Sequence, residues 1–340
     1  MYNKYKGGFM IEGKYKNQNV TSYVLENQYL KVEVMNLGAT LVSFVDKRTN
    51  RDLVLGFDNL DGYLNQHGTY FGATVGRCAN RIANGEFVLN NLKYHVPVNN
   101  GPNSLHGGNN NFSFKVFKAH QKDNEVVLTY HALDGEEGYP GNLDLTITYR
   151  LDDHHLLYQI EGISDQDTIL NITNHSYFNL SSVQENVLNH ELKVYADQVA
   201  MVDENGLTKD EVINVKDTAF DFLDFHPVAK AVNSQNANIL LARGLDHNYV
   251  FESLEPKIMA ELKYQDLSLC VESDLPGMHV YTGNYIDGAC KGKRGIYYQE
   301  RDGICFECQY YPNAINYQKY LKPILFANQK MQHFIKYTIK

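Results

Sequence analysis

Hydrophobic and polar positions alternate along much of this chain. In LDLTITYRL (143–151), Leu143, Leu145, Ile147, Tyr149 and Leu151 fall on one face, and Asp144, Thr146, Thr148 and Arg150 on the other. YLKVEVMN (29–36) and HFIKYTIK (333–340) alternate in a similar way. A period of two sends successive side chains to opposite faces of a strand, so these segments predict half-buried antiparallel strands. Helical periodicity is scarce. DNLDGYLNQ (58–66) predicts one short helix with Asp58 near its N-terminus. Glycine and asparagine clusters at 99–110, 134–142 and 203–206 punctuate the chain as loops. With no long linker, low-complexity tract or solenoid repeat, the pattern predicts an all-β body, one domain over residues 1–340.

Composition adds bounds. The 340 residues are 43% hydrophobic and 21% charged, a balance that buries a substantial core without staples. Tyrosine is abundant (25) and tryptophan absent. The tyrosines suit pleated surfaces and sugar-facing positions equally well. The net charge of −9 argues against a nucleic-acid or anionic-membrane partner, while leaving room for a local basic pocket. The stretch MYNKYKGGFMIEGKYKNQ has no apolar core of a signal peptide. No run approaches the roughly 18 apolar residues of a membrane span. Five cysteines, an odd number, suggest free thiols and a cytoplasmic location.

Several stretches carry candidate chemistry. GRCANRI (76–82) sets the fork-shaped donors of Asn80 and Arg81 side by side, suited to a polyol or a carboxylate; a structural arginine paired in the core is the competing reading. NNGPNSLHGG (99–108) places His106 before two glycines, which permit close approach. In NITNHSYFNL (171–180), read as a strand, His175, Tyr177 and Asn179 share a polar face. In GLDHNYV (244–250), Asp246 and His247 point to opposite sides of a strand, which argues against a direct dyad between them and leaves Asp246 to be judged alone. GICFECQYYP (303–312) offers both a C-x-x-C pair and Glu307. A redox C-x-x-C opens a helix, but CFECQYY reads as a strand. That splits Cys305 and Cys308 onto opposite faces and presents Glu307. No metal constellation is visible: HExxH is missing, and the cysteine pair has no second close pair.

Together these stretches resemble the aldose 1-epimerases, or galactose mutarotases. The resemblance runs in order through LVLGFDNLDGYL (53–64), FGATVGRCANRI (71–82), NGPNSLHGG (100–108), NHSYFNL (174–180), GLDHNYV (244–250), PGMHVYTGN (276–284) and the segment from Glu307 to Pro312. It implies a large antiparallel β-sandwich, a supersandwich, with a sugar cleft on one sheet. Residue by residue, Glu307 matches the general base at the anomeric hydroxyl and His175 the general acid at the ring oxygen. His106 matches a second histidine near that oxygen. Asp246 and Arg81 match residues that hold sugar hydroxyls, with Asn80 alongside. His279 stands where relatives often carry Gln, Asn313 where Asp is expected near Glu307, and Phe117 where Trp is common.

The implied activity interconverts the α and β anomers of free hexoses such as galactose and glucose. It calls for one base and one acid and for no cofactor or metal. The expected partner is a monosaccharide, and the expected state a monomer or homodimer. Three alternatives remain. A hexose 6-phosphate substrate would need a basic cluster. A sugar-binding module would dispense with Glu307 or His175. A glycosidase would need two suitably spaced carboxylates.

Overall fold

The alternation at 143–151 becomes the strand Leu143–Asp152, whose burial alternates residue by residue. It lies third in a nine-stranded sheet that also contains His155–Ser164 and Lys330–Ile339. The computed structural model of the chain describes residues 10–65, 68–289 and 291–340. A six-stranded sheet runs in the order Tyr177–Phe178, Ile304–Gln309, Gly277–Tyr281, Asp246–Val250, Gln198–Val202 and Thr208–Asn214. A five-stranded sheet covers Glu12 to Asp52. The strands of the large sheets pair antiparallel. The three α-helices among the described residues, Leu60–Leu64, Ala229–Val232 and Ala237–Ala242, are short. This is the all-β body that the alternation predicts, arranged as the sandwich that the resemblance implies.

The main core lies between the two largest sheets. Leu145, Ile147 and Tyr149 from one sheet meet Tyr249, Met278 and Phe306 from the other in a single apolar cluster. Burying a side chain such as Phe306 contributes about 1.5–3 kcal/mol, and it also sets the register. A slip of one residue would turn Phe306 out and Glu307 into the core. The core face of the Ile304–Gln309 strand therefore fixes what its other face presents.

One local expectation is sharpened and two change. The short helix forms at Leu60–Leu64, but its cap is Asn59, whose Oδ1 accepts from Gly62 N (3.0 Å). Asp58 instead accepts from Arg294 N (2.8 Å). NITNHSYFNL is not one strand. Thr173–Asn174 pairs with Thr74–Val75, Tyr177–Phe178 pairs with Ile304–Cys305, and His175 lies between the two. Asn174 donates to Gly72 O (2.9 Å) and Ser176 donates to Asn174, side-chain bonds that compete with a continuous ladder. Asn179 consequently leaves the face of His175 and donates to Glu185 O and Asp302 O.

Phe117 is buried in the main core beside Tyr130, at 5.5 Å between rings. Residues 1–9, half of the stretch read for a signal peptide, lie outside the described residues, as do Gln66, His67 and Cys290. No described helix is long and apolar enough to cross a membrane.

Candidate active site

Glu307 sits on the strand Ile304–Gln309, second in the six-stranded sheet, and every residue of this strand is buried. Residues directly opposite in an antiparallel pair share a face. Glu307 faces His279, and His279 faces Asn248. One step along, Cys305 faces Tyr281 and Tyr177, and Tyr281 faces Asp246. These two rows floor a cleft of about 540 Å³. On the opposite face, Phe306 and Cys308 enter the core, so the strand separates the cysteine pair as expected. Cys78, Cys270, Cys305 and Cys308 are all free thiols.

Loops supply the walls. His106, Asn80 and Arg81 come from two segments zipped together by Arg81–Ile82 pairing with Ser104–Leu105. His106 N donates to Asn80 O (3.0 Å), and Asn80 N donates back to His106 Nδ1 (3.2 Å). Gly107 makes this possible: at φ +92° it lies against Gly76, where a Cβ would come within 2.1 Å of the Gly76 oxygen. Arg81 Nε donates to Asn100 Oδ1 (2.9 Å). No carboxylate among the described residues lies in ion-pair range of Arg81, so its guanidinium lines the cleft with donors to spare. The structural arginine of this motif is Arg77, which is buried and donates to Pro140 O and Gly141 O (2.8 and 2.9 Å).

Two histidine–carboxylate pairs stand in the cleft. His279 Nε2 and Asp246 Oδ1 are in direct hydrogen bond at 2.7 Å. Burial opposes the charge on Asp246, but the His279 hydrogen bond and the charges of His279 and Arg81 outweigh it, and its carboxyl is held below the usual value. The other pair is looser: His175 Nε2 lies 3.7 Å from Glu307 Oε1. Glu307 Oε2, buried, finds no partner among the described residues, and neither do His279 Nδ1 and Asn248 Oδ1. A buried polar atom left unpaired costs about 1–3 kcal/mol. Glu307 and His279 line the cleft, and unpaired polar atoms there form a surface prepared for a polar ligand.

His106 stands edge-on to His175, with ring centroids 5.2 Å apart. Burial, together with the charges of His175, Arg81 and His279, pushes its imidazole well below the usual value, so it is neutral near pH 7. Because Nδ1 accepts the Asn80 N–H, the proton of the neutral ring sits on Nε2, where it can be donated into the cleft.

The fold therefore brings together Glu307, His175, His106, Asn80, Arg81, Asp246 and His279, all of which line one cavity. His247 is excluded: its Nδ1 accepts from Asp246 N (3.0 Å) and its Nε2 meets Asn238 (2.9 Å). Asn313 does not reach Glu307. Its Oδ1 accepts from Ala83 N (3.1 Å) and Asn316 Nδ2 (2.8 Å), so it ties two loops together instead. Sequence reasoning missed Tyr70, Tyr281, Tyr285 and Asn100 in the lining. Tyrosine is too common in this chain for any one to stand out.

Folding assembles one cluster of candidate metal ligands that the sequence does not display. Ligating atoms of His106, His175 and Glu307 lie within 4.8 Å of one another, a two-histidine, one-carboxylate set of the type that binds divalent metals. The three residues are far apart in sequence, and folding alone assembles them. The set does not fit a metal, however. A ligating histidine donates its remote N–H to an acceptor. His106 does the reverse, and its Nε2–H offers no lone pair.

An antiparallel β-sandwich with a free carboxylate against histidines in a polar cleft defines an acid–base enzyme for a polyhydroxylated substrate. The chain belongs to the aldose 1-epimerase family, an isomerase family whose sequence model matches residues 21–338. It is 39% identical over 313 residues to the galactose mutarotase of Sus scrofa, covering 90% of each chain. It is 31% identical over 310 residues to the aldose 1-epimerase of Escherichia coli (strain K12), covering 88% of each. The solved galactose 1-epimerase from Lactobacillus acidophilus NCFM shares the fold with a TM-score of 0.86 at 30% identity, covering 96% of both chains.

Proposed function

We propose that this chain, acting as one domain, interconverts the α and β anomers of free hexoses, galactose and glucose among them, with Glu307 as general base and His175 as general acid. One observation carries the reading: the open Glu307–His175 pair, 3.7 Å apart, with a buried carboxylate oxygen free to accept a proton. Glu307 takes the proton from the anomeric hydroxyl. The C1–O5 bond breaks as C1=O1 forms, and O5 takes the proton from His175 Nε2. Rotation about C1–C2 turns the other face of the aldehyde toward O5. On reclosure O5 returns its proton to His175, and Glu307 protonates O1. No proton is consumed in the cycle and no cofactor is needed. His106 Nε2–H, Asn80, Arg81, Asp246 and His279 hold the hydroxyls.

The lining disfavours a hexose 6-phosphate. Arg81 is the one arginine or lysine among its described residues, against Asp203, Glu204, Asp246 and Glu307. The free thiols suit a reducing, cytoplasmic setting, and the reading holds for a monomer or a homodimer. Polarimetry on freshly dissolved α-D-galactose tests it. The protein should speed the approach to anomeric equilibrium, and EDTA should leave that rate unchanged. Tight sugar binding without faster mutarotation would make the chain a sugar-binding module.

A further inference from the structure

A catalytic histidine is normally held by a carbonyl or carboxylate at its remote nitrogen, which orients the ring and sets its tautomer. His175 has neither. Among the described residues, the hydrogen-bonding atom near its Nδ1 is Cys305 Sγ, at 3.7 Å and buried. Cys305 is one of the two cysteines that formed the apparent C-x-x-C pair, and the proposed mechanism does not use it. We infer that Cys305 is the positioning residue for His175: its sulfur receives Nδ1–H and aims Nε2 at Glu307 and the sugar ring oxygen.

The strand register puts the sulfur there. Cys305 lies two residues from Glu307 on the same face, opposite Tyr177. Tyr177 stacks on His175 at 5.1 Å and 27°, and leaves the ring to pivot in its own plane. A contact at the ring edge is then what fixes which nitrogen faces the cleft. Cys305 supplies that contact from behind and Glu307 faces it from the front.

The choice of sulfur has a chemical consequence. Burial, then the charges of Glu307 and Asp246, pushes the Cys305 thiol well up, so it stays neutral. A carboxylate behind a histidine stabilises the imidazolium and makes the ring a stronger base. A neutral thiol, a weak acceptor, orients the ring while leaving its proton easy to give away. That suits a histidine whose first act is donation to O5. This role rests on the acid function proposed for His175.

The test uses Cys305→Ala and Cys305→Ser, with the titration of the His175 imidazole followed by NMR in the absence of sugar. The groups facing that ring are Glu307, His106, Tyr70, Tyr177 and Tyr281, and neither variant alters them. Serine accepts more strongly than sulfur and alanine not at all. The titration midpoints should therefore fall in the order Ala, Cys, Ser from low to high. In the anomerisation assay, Cys305→Ala should lose about two- to tenfold in kcat, the worth of one neutral hydrogen bond, at unchanged KM. Cys305→Ser should recover most of that loss. Midpoints that coincide, or that move in the same direction in both variants, would reduce Cys305 to packing and overturn the inference even if the wild type is an efficient mutarotase. The ordered midpoints would uphold the hydrogen bond even if the wild type proved not to catalyse anomerisation.

Discussion

The two histidine–carboxylate pairs in the cleft use the same residue types, yet one is closed at 2.7 Å and the other open at 3.7 Å. In His279–Asp246 the donor and acceptor satisfy each other, and Asp246 is further held by the positive side chains around it. Its charge is spent on fixing a position. In His175–Glu307 neither group is saturated by the other, and Glu307 keeps a free oxygen. A hemiacetal presents two oxygens, O1 and O5, that exchange protons with different partners. Only the open pair leaves room for both. The comparison teaches that proton-transfer groups are recognised by what they leave unpaired.

The largest expected effect follows from breaking the open pair. His175→Asn keeps a polar side chain on the segment between the two short strands but removes the proposed acid, and kcat should fall by roughly 10²–10⁴-fold with the fold intact by circular dichroism. If His106→Asn proves far more damaging to kcat, the acid is His106. Arg81→Ala should act on binding: losing a charged donor costs on the order of 1.5–3 kcal/mol, or roughly ten- to a hundredfold in KM, read from initial rates against galactose concentration. An unchanged KM would make Arg81 structural.

A smaller effect sharpens the closed pair. His279→Gln keeps a donor toward Asp246 and is expected to change KM by less than about tenfold, with kcat nearly unaltered. The ratio of rates on galactose and glucose should be measured alongside. The smallest effect in the assay window concerns stability. Burial pushes the imidazole of His190 down to about 4 and that of His247 to about 3, from an unfolded value of 6.5. Both are neutral when folded, whereas the unfolded chain takes up their protons below pH 6.5. Their stabilisation is complete above that value and is lost as the pH falls toward the folded values. Melting temperature should therefore drop between pH 7 and pH 5, where most carboxylates remain ionised. A flat profile there would mean these rings are protonated in the folded protein.

Much of this was legible in the sequence. Strict alternation at 143–151 and 333–340 predicts strands because a half-buried strand has no other way to divide its side chains. The same parity argument separated Cys305 from Cys308 and freed Glu307. The segment around His175 was misread because Ser176 bonds back to Asn174 and Asn174 reaches across to Gly72 O where the strand breaks, which polarity alone does not announce. The asymmetry between the two histidine–carboxylate pairs was invisible, because it arises from contacts between residues remote in the chain. His106 was identified, but its tautomer depends on one backbone N–H of Asn80, a detail that only the folded loops supply. The gathering of His106, His175 and Glu307 was hidden for the same reason.

The most direct test sets Glu307→Gln beside Asp246→Asn, with kcat and KM for α-D-galactose mutarotation measured by polarimetry at neutral pH. Gln keeps the shape of Glu and can hold a hydrogen bond, but it cannot take up the anomeric proton. If the open pair does the chemistry, Glu307→Gln loses about 10²–10⁴-fold in kcat at nearly normal KM, while Asp246→Asn raises KM and loses less in kcat. An Asp246→Asn enzyme crippled in kcat, beside a Glu307→Gln enzyme that turns over at a near-normal rate, would contradict the account.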